Sequence, residues 1–447
     1  MAGCGTSPEA RVREMLATQK TGVIHLPRGV IEISSELKIA PGAYDLEIEG
    51  EGTLLKASDH FQGRAILSAE NAQRIRLRNF SIDGNRYNLT SLIDAAPPEN
   101  AFRIWYSKNG LLFDQVQGLT ISNIELSDVL NFPILVSRSS DIKISTVTVS
   151  DSGSQDHNGR NNLSGGILIE EGSSHFEVTG AIFHRISGNA LWTHSLRTSP
   201  RLQDGLFADN QFDTIGRDAI EVGHATRVRV ENNSGIRIGY PESIVDKEHG
   251  GIPVAIDTAG NVDSSVYSGN RFQEVDGKCF DLDGFHDGAV RNNQCVNKQP
   301  ADVYPFGHFG IVMNNTDPDA HSGNIEISSN TIDGTKFGGL FVMGSGNRIV
   351  DNQFLNLDTS GCNESAAKFG CIYKRDEPKM LESGIYLGRG VARLEQTRGN
   401  TIRGNRIFGH KMKTRCIVAG PGVSLQANTI TGNVCSDNAR PSPRSVD

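Results

Sequence analysis

The chain is short of several things that large proteins usually carry. Aromatic residues are only 6% of its 447 residues. No run approaches the ~18 uncharged apolar residues of a membrane-spanning helix, which excludes a helical span. Lys and Arg never gather into a block, and 52 Asp+Glu outnumber 44 Lys+Arg for a net charge of −8. The basic footprint of a nucleic-acid partner is therefore missing. Apolar residues total 37% and recur along the whole chain, which argues against disorder. Cysteine is nearly absent from the first half: after Cys4 the next is Cys279, followed by Cys295, Cys362, Cys371, Cys416 and Cys435.

What the chain has in excess is glycine and repetition. Gly is 49 of 447 residues, about 11% against a usual ~7%. A short motif of Asn, any residue and an apolar residue recurs at Asn210, Asn270, Asn293, Asn330, Asn352, Asn405 and Asn428, with looser copies at Asn123 and Asn233. Several spacings are 22 or 23 residues, too short for a helical hairpin repeat and suited to three short strands joined by bends. Asn side chains stacked at one bend can hydrogen-bond from coil to coil.

A second repeated strand precedes the Asn motif, as in 165–171, 218–224, 254–260, 278–284, 309–315, 338–344 and 383–389. Its third and fifth residues are mostly apolar, which by the two-residue period of a strand assigns them to the interior and the second, fourth and sixth to the outside. Before the repeats, Ser7, Pro8 and Glu9 read as a helix start, with Val12, Met15 and Leu16 on one face to about Gln19. Such a helix covers the open end of a stack of strands.

This repeat period and Asn ladder resemble the right-handed parallel β-helix proteins of the pectate-lyase-like superfamily. The resemblance covers roughly residues 20–435. It implies an all-β solenoid with a short N-terminal capping helix and loop insertions lining one face. The expected division is 1–20 (leader remnant and capping helix), 21–436 (parallel β-helix) and 437–447 (flexible tail). Adhesins share the scaffold, so the fold alone does not fix a chemistry.

The fourth position of successive strands reads Leu135, Leu168, Trp192, Glu221, Asp257, Asp281, Val312, Phe341, Tyr386 and Val418. Three carboxylates in a row would stand about 4.8 Å apart on neighbouring coils. Like charges at that spacing repel and raise the pKa of at least one, as a general acid requires. Outward positions are often charged without any role, and a purely structural face would interleave signs. Glu221, Asp257 and Asp281 are thus the expected catalytic residues, Asp257 the proton donor. Trp192, Phe341 and Tyr386 are expected as sugar-stacking platforms. His194, Asp218, His224, His249, Lys278, Asp283, His308 and Arg389 are the other candidate substrate contacts. Insertions at about 237–252, 297–308 and 357–382, carrying Tyr240, Glu248, His249, Tyr304, His308, Lys374 and Arg375, are expected to wall the groove.

The order Asp257, Asp281 and Asp283, then Gly307-His308-Phe309-Gly310, resembles polygalacturonase-type glycoside hydrolases. It departs from them in lacking the Asn-Thr-Asp, Asp-Asp and Arg-Ile-Lys motifs, and Phe309 interrupts the Gly-His-Gly. The expected function is an exported glycoside hydrolase acting on an oligo- or polysaccharide, without a cofactor. Two alternatives stay open: a polysaccharide lyase in which the acids hold Ca²⁺, and a non-catalytic glycan-binding β-helix. His249, His286 and His308 show no His-x-x-x-His or similar spacing, so no metal site is expected of them.

The pairs Cys362/Cys371 and Cys416/Cys435 are close enough to bridge loops, which fits an oxidising compartment. Met1-Ala2-Gly3-Cys4 resembles the end of a bacterial lipoprotein signal, with Cys4 as the lipidated residue and the membrane contacted only through that anchor. An ordinary N-terminus would read the same.

Overall fold

The computed structural model describes residues 7–89, 92–245, 253–299, 309–361, 377, 379–390 and 392–437. Cys4, His249 and His308 lie outside them, as do Glu248, Tyr304, Cys362, Cys371, Lys374 and Arg375.

The expected helix forms over Pro8–Thr18 (α1), where Ser7 Oγ accepts from the Ala10 N–H at 3.1 Å. Val12 and Leu16 are fully buried, while Met15 is only half-buried. Glu9 accepts from the Ser34 N–H at 3.0 Å and pairs with Arg13 at 2.7 Å, and Arg13 Nη1 donates to Glu36 O at 2.7 Å. These bonds tie α1 to the strand Gly29–Lys38. Among the described residues no helix is long and apolar enough to cross a membrane.

Apart from α1, short helical turns and loops, the described residues form parallel strands, in two compact units: Met1–Arg217 with Pro241–Val245, and Asp218–Tyr240 with Asp246–Asp447. In the first unit Asn109–Ser122, Ile134–Ser137, Ile167–Glu170 and Leu191–His194 pair in succession, in the register Leu112, Leu135, Leu168, Trp192. In the second unit Ile220–Glu231, Val254–Asp263, Lys278–Asp283, Phe309–Asn314, Leu340–Val342, Ile385–Leu387 and Ile417–Ala419 pair likewise. The expected inward residues, from Ile134 and Val136 to Ile385 and Leu387, are all buried; only those of the last coil, Ile417 and Ala419, are half-buried.

The Asn ladder is present in the second unit. Asn233, Asn270, Asn293, Asn330, Asn352, Asn405 and Asn433 follow one another, each side-chain oxygen accepting from both the backbone and amide N–H of the residue before it. Each buried bond contributes roughly 1 kcal/mol, and an orphaned donor costs more. One assignment changes: Asn428 belongs to a second ladder, with Asn347 and Asn400. The spacing from Asn405 to Asn428 matched the repeat, but the last coil is longer, and it is Asn433 that bonds Asn405.

Two disulfides lie among the described cysteines. Cys416–Cys435, expected from its spacing, has a Cα separation of 5.8 Å. Cys279–Cys295, at 6.1 Å, was not foreseen; it joins the buried faces of Lys278–Asp283 and Gln294–Val296.

Candidate active site

The strand register brings the three expected carboxylates together. Glu221 pairs with Asp257, and Asp257 with Asp281, on three consecutive strands of the second unit. On either side of each, Ile220 and Val222, Ile256 and Thr258, and Phe280 and Leu282 are buried in the coil interior. That alternation fixes the acids on the opposite face, because a one-residue slip would bury all three.

The row is sheltered. Glu221 and Asp281 are only 7% and 9% exposed, and Asp257 is half-buried. Asp218 joins them from the start of its strand, where its Oδ1 accepts from the Val254 N–H at 2.8 Å. One carboxylate oxygen each of Asp218, Glu221 and Asp257 lies within 4.8 Å of the others. Burial, and then the neighbouring Asp218, Asp281 and Glu221, push the Asp257 carboxyl well above the usual carboxylate range; Lys278 opposes them only in part.

Lys278 stands three residues before Asp281 and forms an ion pair with its Oδ2. Burial works against the ammonium, yet Asp281, Asp257 and Asp218 outweigh it and hold its pKa above the ordinary lysine value. The other oxygen, Asp281 Oδ1, is buried and accepts no hydrogen bond from the described residues. Asp283 accepts from the Thr316 N–H at 2.7 Å and the Thr316 hydroxyl at 2.5 Å. Burial raises its pKa to about 6, against those two bonds. The site thus holds a carboxyl whose pKa is pushed up, an ion-paired carboxylate with an open lone pair, and a cation.

Thr316 gave no sequence signal, since it lies beyond the strand and is adjacent to Asp283 only through the pairing of Asp283 with Asn314. Tyr267 was also missed. Its buried hydroxyl is 3.0 Å from Thr258 Oγ1, next to Asp257 in sequence.

Other expected contacts fall elsewhere. His224 occupies a bulge between Gly223 and Ala225 with φ 46°, which takes it out of the strand alternation. Phe341 and Tyr386 continue the row past Val312, about 10 and 14 Å from Asp281 by rung spacing. They are 3% and 0% exposed and stack on each other at 5.9 Å, so neither offers a free ring face. Arg389 follows that strand, its backbone N–H donating to Glu377 Oε1 at 2.7 Å.

Trp192 and His194 belong to the first unit, where the expectation of an open platform also fails. Phe102 packs on Trp192 at 5.0 Å and stacks on His194 at 4.5 Å, leaving Trp192 3% exposed. Phe102 and Tyr106 cover the apolar column Leu112, Leu135, Leu168 and Trp192. Glu170, at the sixth position of its strand, accepts from the Phe102 and Arg103 N–H groups at 2.9 and 3.0 Å and so anchors the covering segment.

Comparison with known proteins agrees with this architecture. The family described as "Right handed beta helix region" matches residues 65–240. No curated protein matches. Among solved structures, the catalytic domain of a GH87 α-1,3-glucanase in complex with tetrasaccharides is similar at TM-score 0.53 and 13% identity, over 88% of this chain and 68% of that one. The surface protein and adhesin PfbA of Streptococcus pneumoniae is similar at TM-score 0.52 and 14% identity, over 78% of this chain and 93% of that one. The match to ORF18 of Geobacillus virus E2, at TM-score 0.49 and 13% identity over 66% of this chain, spans 52% of that protein. At such identities the likeness is one of fold, shared by an enzyme and an adhesin alike. Residues 65–240 thus match a right-handed β-helix, and each of the two units stacks parallel strands coil on coil.

Proposed function

We propose that the protein is a glycoside hydrolase acting on an oligo- or polysaccharide at the acidic row of its second unit. The observation that carries this reading is the register-locked row Glu221–Asp257–Asp281, in which the central carboxyl is pushed well above the usual carboxylate range beside an ion-paired carboxylate. Asp257 donates its proton to the glycosidic oxygen. Asp281, paired with Lys278 and with Oδ1 open, is the carboxylate that meets the developing positive charge at the anomeric carbon. Neighbouring rungs place carboxyls about 5 Å apart, the separation that suits retention of configuration through a covalent intermediate. Burial, then the charges of Asp218, Asp281 and Glu221, raises the Asp257 pKa and favours that role. Fold kinship with an α-1,3-glucanase solved with tetrasaccharides supports a carbohydrate ligand.

A second reading rests on the close approach of Asp218, Glu221 and Asp257, whose oxygens are near enough to share one Ca²⁺. The protein would then be a lyase, the metal neutralising a uronate while a base removes the α-proton. One experiment separates the two. Purified protein is screened on a glycan panel for new reducing ends and for ultraviolet absorbance of an unsaturated product, with and without EDTA. The hydrolase yields reducing ends without absorbance, indifferent to chelator, and Asp257→Asn abolishes them with unfolding unchanged. Full activity in that variant rejects the assignment; chelator-sensitive absorbance selects the lyase.

Export belongs to the same proposal. Cys279–Cys295 and Cys416–Cys435 support an oxidising compartment. A lipid on Cys4 would be seen by mass spectrometry of the protein purified from its host.

A further inference from the structure

His286, Asp287 and His321 share none of the residues of the acidic row, and their geometry points to a metal site that sequence spacing hid. We propose that they bind one divalent transition-metal ion of the zinc class.

The fold assembles the set across two coils. His286 bridges to Gly323, and the Asp287 N–H donates to Gly323 O at 3.0 Å. His321, two residues before Gly323, thereby comes against His286, and the two rings stack at 5.0 Å. One donor atom from each of the three residues lies within 4.8 Å of the others. Zinc bonds of about 2.0–2.2 Å at a tetrahedral angle place ligand atoms roughly 3.4 Å apart, so the exposed His321 side chain would turn inward to complete the set.

Hydrogen bonding around His286 supplies a second observation. Its Nδ1 faces Asp287 Oδ2 at 2.7 Å and its Nε2 faces Asn261 Oδ1 at 3.2 Å. With its N–H on Nε2 toward Asn261, the neutral ring leaves the Nδ1 lone pair facing the Asp287 side, which is the donor a metal ion takes. The ion would sit between Nδ1 and Oδ2, while the bond to Asn261 fixes the tautomer and orients the ring. Asn324 Nδ2 donates to Asp287 Oδ1 at 2.9 Å and orients the carboxylate in the same way. The His286 side chain is 12% exposed and Asp287 45%, so the set is anchored on one side and open to an entering ion on the other. Two imidazoles and one carboxylate suit zinc, nickel or copper; Ca²⁺ prefers six to eight oxygens. Such an ion would clip neighbouring coils of the second unit together.

The test uses the full chain, stripped with EDTA and dialysed, then titrated with zinc chloride by calorimetry. One zinc per chain is expected, with an accompanying rise in Tm. His321→Ala and Asp287→Asn should each weaken binding about tenfold or more and cancel the Tm rise, with far-ultraviolet circular dichroism unchanged. Glu221→Gln and a millimolar excess of Ca²⁺ should leave zinc binding as it was. The proposal is overturned if the native chain binds no zinc, if both site variants bind it as well as the native chain, or if Glu221→Gln is the change that abolishes it. None of these results bears on the hydrolase reading.

Discussion

The same strand position has opposite fates in the two units. In the first it carries Leu135, Leu168 and Trp192, roofed by Phe102 and Tyr106. In the second it carries Glu221, Asp257 and Asp281, with Lys278 and Asp218 beside them. Both columns point away from the coil interior, and both are largely withdrawn from water. In the first unit that withdrawal removes apolar area from water and stabilises the fold. In the second it leaves like charges together at a cost, which pushes the Asp257 carboxyl well above its usual range and which the Lys278 pair offsets only in part. The difference teaches that facing outward on a β-helix coil is a geometric statement; whether the position is exposed depends on what lies over it.

Four measurements break or sharpen this contrast. The largest effect should be on rate: Asp257→Asn lowers turnover about 10²–10⁴-fold, the usual contribution of a general acid, without loss of stability. Next, Phe102→Ala in the first unit should cost about 3 kcal/mol in urea unfolding, the loss of a buried ring, and shift turnover less than about twofold. A large drop in turnover at unchanged stability would make Trp192 and His194 part of the working site and dissolve the contrast.

Asn293→Ala tests the frame beneath the acids. It removes the oxygen that accepts from both the Asn270 N–H and Asn270 Nδ2, and should cost about 2 kcal/mol by orphaning buried donors. Last is a pH effect at Glu170. Burial raises its pKa from 4.5 to about 7, so the folded state holds this proton more tightly than the unfolded chain does. Stability is then full below about pH 4.5 and declines as pH rises to about 7. Glu170→Gln should flatten that decline in urea midpoints taken across the window; an unchanged slope would show the group titrating normally.

Much of the fold was legible because its signals are local. Pro8 at the first helical position, period-two burial in each strand and the recurring Asn are short-range patterns that coil stacking then amplifies. The acid row was legible for the same reason: once the coil length is known, register follows from keeping Ile220, Ile256 and Phe280 inside. The error at Asn428 marks the limit, for a longer final coil hands that rung to Asn433.

Composition, repeat and alternation by themselves determined that this chain stacks parallel coils and aligns Glu221, Asp257 and Asp281, since a strand has only two faces and one of them must be dry. Tertiary structure alone decided which outward residues are covered, that Lys278 rather than solvent meets Asp281, that Cys279 finds Cys295, and that His321 lies against His286. Apart from the Lys278–Asp281 pair, which lies within one strand, those contacts join residues on different strands or coils whose separation varies with each loop, and no periodic signal records what a loop brings back.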